Sequence, residues 1–299
     1  MHGKKIKRAR HHYWPENLSL HWADSEGQAT RLSWDGEETR APPKNFGVLG
    51  DGHRVKHDGG PWDTTIEPIF QDADSYLPGV IKYLSLLESK ATSDRTPFEE
   101  RLLAQPLPSD IRAQLGECLA SLIARSPAFR HEMKLTADYC RDGLPYRDKF
   151  DERNLIVLNI NQHYSQMVNS LKSGGKIVVL FSETAEFIFG DGFLHNIDGT
   201  FGSGGKCLVP LTPSMSVGFF APGSYWTNPN NVTIRLSQAE VRICNEISQI
   251  YTRDYVYYRS QRPEIIPAFQ RREFLQLQYH QHKWLDGLLT TVTNFRPKR

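Results

Sequence analysis

Cysteine is scarce in this chain, four residues in 299, and Cys118, Cys140, Cys207 and Cys244 stand far apart with no Cys-x-x-Cys pair. That spacing excludes a disulfide framework and a zinc ribbon, and mostly apolar neighbours suit reduced thiols in the core of a cytoplasmic protein. Long apolar runs are missing as well. The strongest, residues 177–181, falls far short of the roughly 20 residues that span a bilayer, so no membrane partner is expected. Charge of one sign is not in excess: 36 Lys and Arg face 34 Asp and Glu, a net charge of +2. No global field therefore draws the protein to nucleic acid. Lys4, Lys5, Lys7, Arg8 and Arg10 would suit the start of a signal peptide, but His11, His12, Pro15, Glu16 and Asn17 interrupt the apolar stretch that must follow, and secretion is not expected. No repeat of 20 to 50 residues is visible, which excludes a solenoid.

What is present is a composition 39% hydrophobic over 299 residues, enough for one sizeable core without metals or disulfides. The pattern reads as a single α+β domain. Residues 1–10 form a basic arm, and residues 11–60 a β-hairpin followed by a loop rich in Asp-Gly. Residues 62–171 form a helical lobe: Ile66, Ile69, Phe70, Ala73, Leu77, Val80, Ile81 and Leu84 recur at helical steps, with Pro78 expected to kink or split the run. Ser109-Asp110 reads as an N-cap, Pro127 opens a further helix, and a helix over 151–171 ends at Gly174-Gly175. The period then changes. Short β-rich runs at 177–181, 186–189, 207–211 and 216–220 predict a small, largely antiparallel sheet. Ser237, with Glu240 three residues on, opens a capped helix. A strand at 255–258 and a last helix over about 263–291 complete the chain.

Several motifs fail on inspection. Gly204-Gly205-Lys206 invites a P-loop, but the required earlier glycine is Thr200, the next residue is Cys207, and a strand follows where a helix N-terminus is needed. His53 and His57 lie in a Gly/Asp-rich loop, and His280 and His282 point to different sides of a helix, so neither pair reads as a zinc site. Arg125, six residues before His131, is similar to the Arg–His signature of the helical ribonucleases called HEPN. Pro127 breaks that helical context.

The segment Arg10-His11-His12-Tyr13-Trp14-Pro15-Glu16 differs in kind, since paired histidines, two aromatics and a proline gain little from exposure to water. It resembles the His-His-Tyr-Val-Pro-Gln signature of the bacterial family known as domain of unknown function number 4238, with Trp14 for Val and Glu16 for Gln. The resemblance extends to Glu67 and Asp74, seven apart like the family's acidic helix positions. It extends also to Arg125-Ser126-Pro127, Ser182-Glu183 after a strand, Pro210-Leu211-Thr212-Pro213, and Asn245 ahead of Tyr255-Val256-Tyr257. The family's reaction is unassigned. Its members look like accessory genes of bacteria and their mobile elements, which implies a phage-defence or toxin setting and a protein partner encoded nearby.

Two functions follow as expectations. In the first the chain is a nucleic-acid-directed hydrolase, a nuclease: His11 and His12 act as bases, Arg125 binds phosphate, and Glu183, with Glu67, is a candidate for holding a divalent metal. Lys4, Lys5, Lys7, Arg8, Arg10 and Asn245 would then bind the substrate, and His11, His12, Glu183 and Arg125 converge on one partly exposed pocket. In the second, the chain is a non-catalytic sensor or binding module. The His-His-Tyr-Trp segment then packs as a plug, and Arg125 neutralises Glu67 or Asp74 between packed helices.

Overall fold

The computed structural model describes residues 10–50, 54–55, 64–65, 67–90, 96–142, 151–197, 205–223, 225–274, 282–291 and 294–297. The fold is α+β, with mostly antiparallel sheets. A strand β1 (Arg10–His12) leads to the hairpin β2 (Ala29–Ser33) and β3 (Glu38–Ala41), then to β4 (Val48–Gly50), which pairs back onto β1. Four helices follow, α1 (Gln71–Ser85), α2 (Ser109–Arg125), α3 (Pro127–Asp142) and α4 (Asp151–Ser173), with a two-residue strand β5 (Leu103–Ala104) before α2. Next come β6 (Lys176–Phe181), β7 (Phe189–Gly190), β8 (Leu194–His195), β9 (Gly205–Thr212), β10 (Met215–Ala221), β11 (Tyr225–Asn228) and β12 (Asn231–Arg235). Helix α5 (Gln238–Tyr251), strand β13 (Tyr255–Tyr258), helix α6 (Lys283–Thr290) and strand β14 (Asn294–Pro297) close the chain.

The main sheet has six strands in the order β8-β9-β10-β6-β12-β5. After Lys176, strand β6 is apolar at every step because both of its faces are covered. Ile177 and Val179 join the core built on α1, α2 and α4, while Val178 and Leu180 join a second core with Val241 of α5 and Leu285 of α6. The sheet is thus sandwiched, where sequence periodicity alone placed a helical lobe before it. Its one parallel pair, β6 with β12, runs from Ile177 opposite Asn231 to Phe181 opposite Arg235, so two carboxyl ends lie side by side. A second sheet, β3-β2-β13-β7, joins the N-terminal hairpin to a strand more than 200 residues later.

Local expectations fare unevenly. Ser237 and Glu240 form the expected capping box, and Gly175 takes the positive φ of 84° that ends the α4 connection. Pro78 sits inside an unbroken α1. Pro108, not Ser109, is the N-cap of α2, and no side chain caps it. Residues 186–188 precede β7 without being strand, since Asn245 holds their backbone instead. The long C-terminal helix is replaced by a single turn at Pro267–Gln270 and by α6, and residues 275–281 lie outside the described ones.

One buried charge tests the core directly. Lys176, 1% exposed at the start of β6, donates to the backbone carbonyls of Leu288 and Thr291 at the end of α6. Burial, partly offset by Glu99, pulls its pKa from 10.5 down to about 8. The folded value lies below the unfolded one, so between about pH 8 and 10.5 the unfolded chain binds more protons and stability rises with pH. Below pH 8 the desolvation cost is fully present. Lys176→Met is expected to raise the melting temperature at pH 7 and to flatten that rise, as thermal melts from pH 7 to 10.5 would read. A lower melting temperature at pH 7 would mean that capping the carbonyls outweighs desolvation.

Candidate functional site

The opening segment is built into the core. Trp14 is 1% exposed, stacked on Phe189 at 5.0 Å and 15°, tilted on Tyr257 at 4.3 Å and edge-on to Trp22 at 5.8 Å. Gly47 makes this approach possible. It has φ +66° and donates no side chain where an added Cβ would lie 2.4 Å from that of Trp14, and its carbonyl accepts from the Tyr13 N–H at 2.8 Å. The Tyr13 and Tyr257 hydroxyls share a 2.6 Å hydrogen bond, and burial pushes both phenols above the usual tyrosine range. Close by, the buried Asp191 carboxylate accepts from the backbone N–H groups of Arg253, Asp254 and Tyr255 at 2.7 to 3.2 Å, fixing the turn into β13. Burial and the Asp254 charge push Asp191 up to about 7 against those hydrogen bonds.

The residues singled out by sequence separate. His11 and His12 lie on β1, opposite Leu49 and Val48, and His12 is half-buried. Arg125 is 2% exposed at the end of α2, with Nη1 and Nη2 forked onto Asp74 of α1 at 3.0 and 2.7 Å and its guanidinium over Phe70 at 5.1 Å. Its expected role of offering that fork to an anion is corrected by this pairing, because both terminal nitrogens are spent on Asp74 inside the helical lobe. His131, on α3, packs edge-on against Phe274 at 5.5 Å. Asn245 is a backbone clamp, accepting from Ile188 N–H at 3.1 Å and donating to the Glu186 carbonyl at 2.8 Å. Glu67 sits half-buried on a helical turn ahead of α1. Among the described residues no group of three or more His, Cys, Asp and Glu side chains could hold a metal ion. Arg10 lies on β1, and Lys4, Lys5, Lys7, Arg8, His53, His57 and His280 fall outside the described residues.

Of the proposed catalytic set, Glu183 lines a sizeable cleft. A cavity of about 670 Å³ opens at the carboxyl ends of β6 and β12, and neither His12 nor Arg125 lines it. Its floor is Ile81, Leu87, Phe181, Pro213 and Met215. Its charged groups are Lys82 from α1, Arg235 from the end of β12, Arg259 after β13, and Glu183. Ser85, Ser89, Ser182, Thr212 and Ser214 add hydroxyls, and His21 stands at the rim with its pKa lowered by partial burial. Topology gathers these groups. The parallel β6–β12 pair ends here, the Thr212–Met215 turn reaches the same edge through Met215 opposite Phe181, and Arg101 donates to the Arg235 carbonyl at 2.8 Å while paired with Glu240. Crevices outside the carboxyl ends of parallel strands are where open sheets bind ligands.

Within the cleft Arg235 holds Glu183 at 2.8 Å and Ser89 Oγ at 3.1 and 3.3 Å. Arg259 is held by Glu186 at 2.6 and 2.8 Å, and among the described residues the Lys82 ammonium has no ion-pair or hydrogen-bond partner. The rim pair Arg235–Glu183 is solvated, with side chains 32% and 65% exposed, so an incoming anion displaces Glu183 at small cost. Sequence reasoning missed Lys82, Arg235 and His21. Each is an ordinary surface residue in its own segment, and none belongs to a motif.

No family model, curated protein or solved structure matches the chain. The similarity to domain of unknown function number 4238 thus rests on the short segments alone.

Proposed function

We propose that this protein is a binding module for a phosphate-bearing ligand, a nucleotide or a nucleic-acid end, held in the cleft at the carboxyl ends of β6 and β12. The observation that carries the reading is the makeup of the cleft: three cationic side chains face one carboxylate over an apolar floor. Guanidinium and ammonium groups with nearby hydroxyls suit phosphate oxygens, and the floor of Phe181, Pro213 and Met215 suits a base. The packed opening segment favours the same reading, since Tyr13 and Trp14 are spent on the core.

Hydrolysis is the second reading, favoured by one observation. His21, whose pKa is lowered by partial burial, and Glu183 line the same cleft, so a base stands beside the phosphate site. The nuclease would then work with His21 where His11 and His12 were expected.

Binding of a 5′-phosphorylated oligonucleotide, followed by fluorescence anisotropy, tests the first reading. Arg235→Ala and Lys82→Ala are each expected to weaken it about tenfold, the loss of one charge-assisted hydrogen bond. Wild-type affinity in both variants sinks the proposal. Strand cleavage that persists in wild type and disappears in His21→Ala with folding intact moves the assignment to the hydrolase.

A further inference from the structure

A second cavity, of about 320 Å³, lies on the other side of the turn formed by residues 182–186. One wall is the polar face of α5, where Gln238, Arg242, Asn245, Glu246 and Gln249 recur at helical spacing. The other is the irregular segment 261–266 with the start of the turn at Pro267. The walls are fixed by side chains that grip backbone. The amide of Gln249, 2% exposed, donates to the Glu264 carbonyl at 2.8 Å and accepts from Ile266 N–H at 3.0 Å, as Asn245 does for residues 186 and 188. Glu186 accepts from Arg259, Ser260 and Gln261, which anchors the start of that segment. The cleft is therefore held open by interactions that do not use Arg242, Glu246 or Glu264.

Three exposed charges on its rim are unengaged. Arg262 is engaged by Glu38 at 2.6 Å and Glu186 by Arg259, but among the described residues Arg242, Glu246 and Glu264 have no side-chain hydrogen-bond or ion-pair partner. Arg242 and Glu246 are four apart on one helix face and still unpaired; Arg ahead of Glu is the weaker orientation for such a pair. One guanidinium and two carboxylates remain, a balance opposite to that of the phosphate cleft, and Ile265 and Ile266 offer an aliphatic surface beside them.

We propose that this second cleft binds a free basic amino acid of the lysine or arginine type. Its carboxylate lies on Arg242, its two cationic groups lie on Glu246 and Glu264, and its methylene stem lies along Ile265 and Ile266. The charge count selects the class: one anionic and two cationic groups close the three open positions, and a carboxylate paired with Arg gains from the planar fork. The volume falls at the lower end of small-molecule sites.

Isothermal titration at constant ionic strength tests the site with L-lysine and L-arginine, against three comparators. L-norleucine lacks the side-chain cation, 1,5-diaminopentane lacks the carboxylate, and L-glutamate carries the wrong charge. Lysine or arginine is expected to bind at least about tenfold more tightly than norleucine or diaminopentane, the worth of one charged hydrogen bond. Glutamate is expected not to bind. In Arg242→Gln the preference for lysine over diaminopentane disappears, and in Glu246→Gln/Glu264→Gln the preference for lysine over norleucine disappears. These residues are exposed, so the variants fold. Arg235→Ala, in the other cleft, leaves lysine binding unchanged. The inference fails if neither basic amino acid binds, if glutamate binds as well as lysine, or if lysine binding is the same in Arg242→Gln as in wild type.

Discussion

Trp14→Ala is expected to destabilise the protein by about 3–5 kcal/mol, the range for deleting a large buried aromatic ring. The ring is 1% exposed and touches Trp22, Phe189 and Tyr257, which come from three distant segments. Removing it leaves a cavity that cannot collapse, because Gly47 and the paired Tyr13 and Tyr257 hydroxyls hold the surrounding backbone and rings in place. Trp14→Phe keeps part of the stacking and is expected to recover a large part of the loss. Urea unfolding of the three proteins measures both effects. If the alanine variant is as stable as wild type, the opening segment is not the plug described above, and a direct role for its histidines regains force.

Asp74→Ala is expected to cost about 3 kcal/mol or more, since it leaves the Arg125 cation buried without a counter-charge. The asymmetry of the pair makes this informative. Arg125 has a side chain 1% exposed, whereas Asp74 is 38% exposed and could be hydrated on its own. The partner that suffers is therefore the arginine. Arg125→Met/Asp74→Leu replaces the pair with apolar groups, and most of the stability lost in Asp74→Ala is expected to return, as it does when buried ion pairs are replaced whole. A catalytic arginine behaves otherwise. If Asp74→Ala unfolds no more readily than wild type while ligand binding or turnover is abolished, Arg125 acts at a site after all.

The two clefts share one wall, and their independence follows from how it is made. Residues 182–186 carry Glu183 into the larger cleft and Glu186 into the other, and Ser182 Oγ closes the turn by donating to the Ala185 carbonyl at 2.6 Å. Glu186 engages Arg259, Ser260 and Gln261 and is nearly enclosed, with a side chain 9% exposed, so it is held in place rather than shared between ligands. Hydrogen bonds from Arg259, Ser260 and Gln261 also keep its carboxyl below the usual range despite burial.

Features that depend on neighbours along the chain were legible in the sequence. Helical periodicity located α1 and α2, Gly174-Gly175 marked the end of α4, Pro127 marked the start of α3, and Ser237 with Glu240 announced the capping box of α5. Glycine at 175 marked the change from helix to strand, because a positive φ costs other residues more. Tertiary structure decided what depends on which distant segment arrives alongside. The hairpin β2–β3 found β13, the parallel pair β6–β12 formed across an intervening antiparallel meander, and Arg125 met Asp74. The cleft at the ends of β6 and β12 belongs to this second class: His21, Lys82, Glu183, Arg235 and Arg259 are each ordinary in local context and line one cavity because two strand ends, a helix and two loops meet there. Local hydrogen bonding and apolar periodicity are written in short stretches of sequence, whereas the choice among many possible long-range partners is made by burial of the whole chain, which no short stretch records.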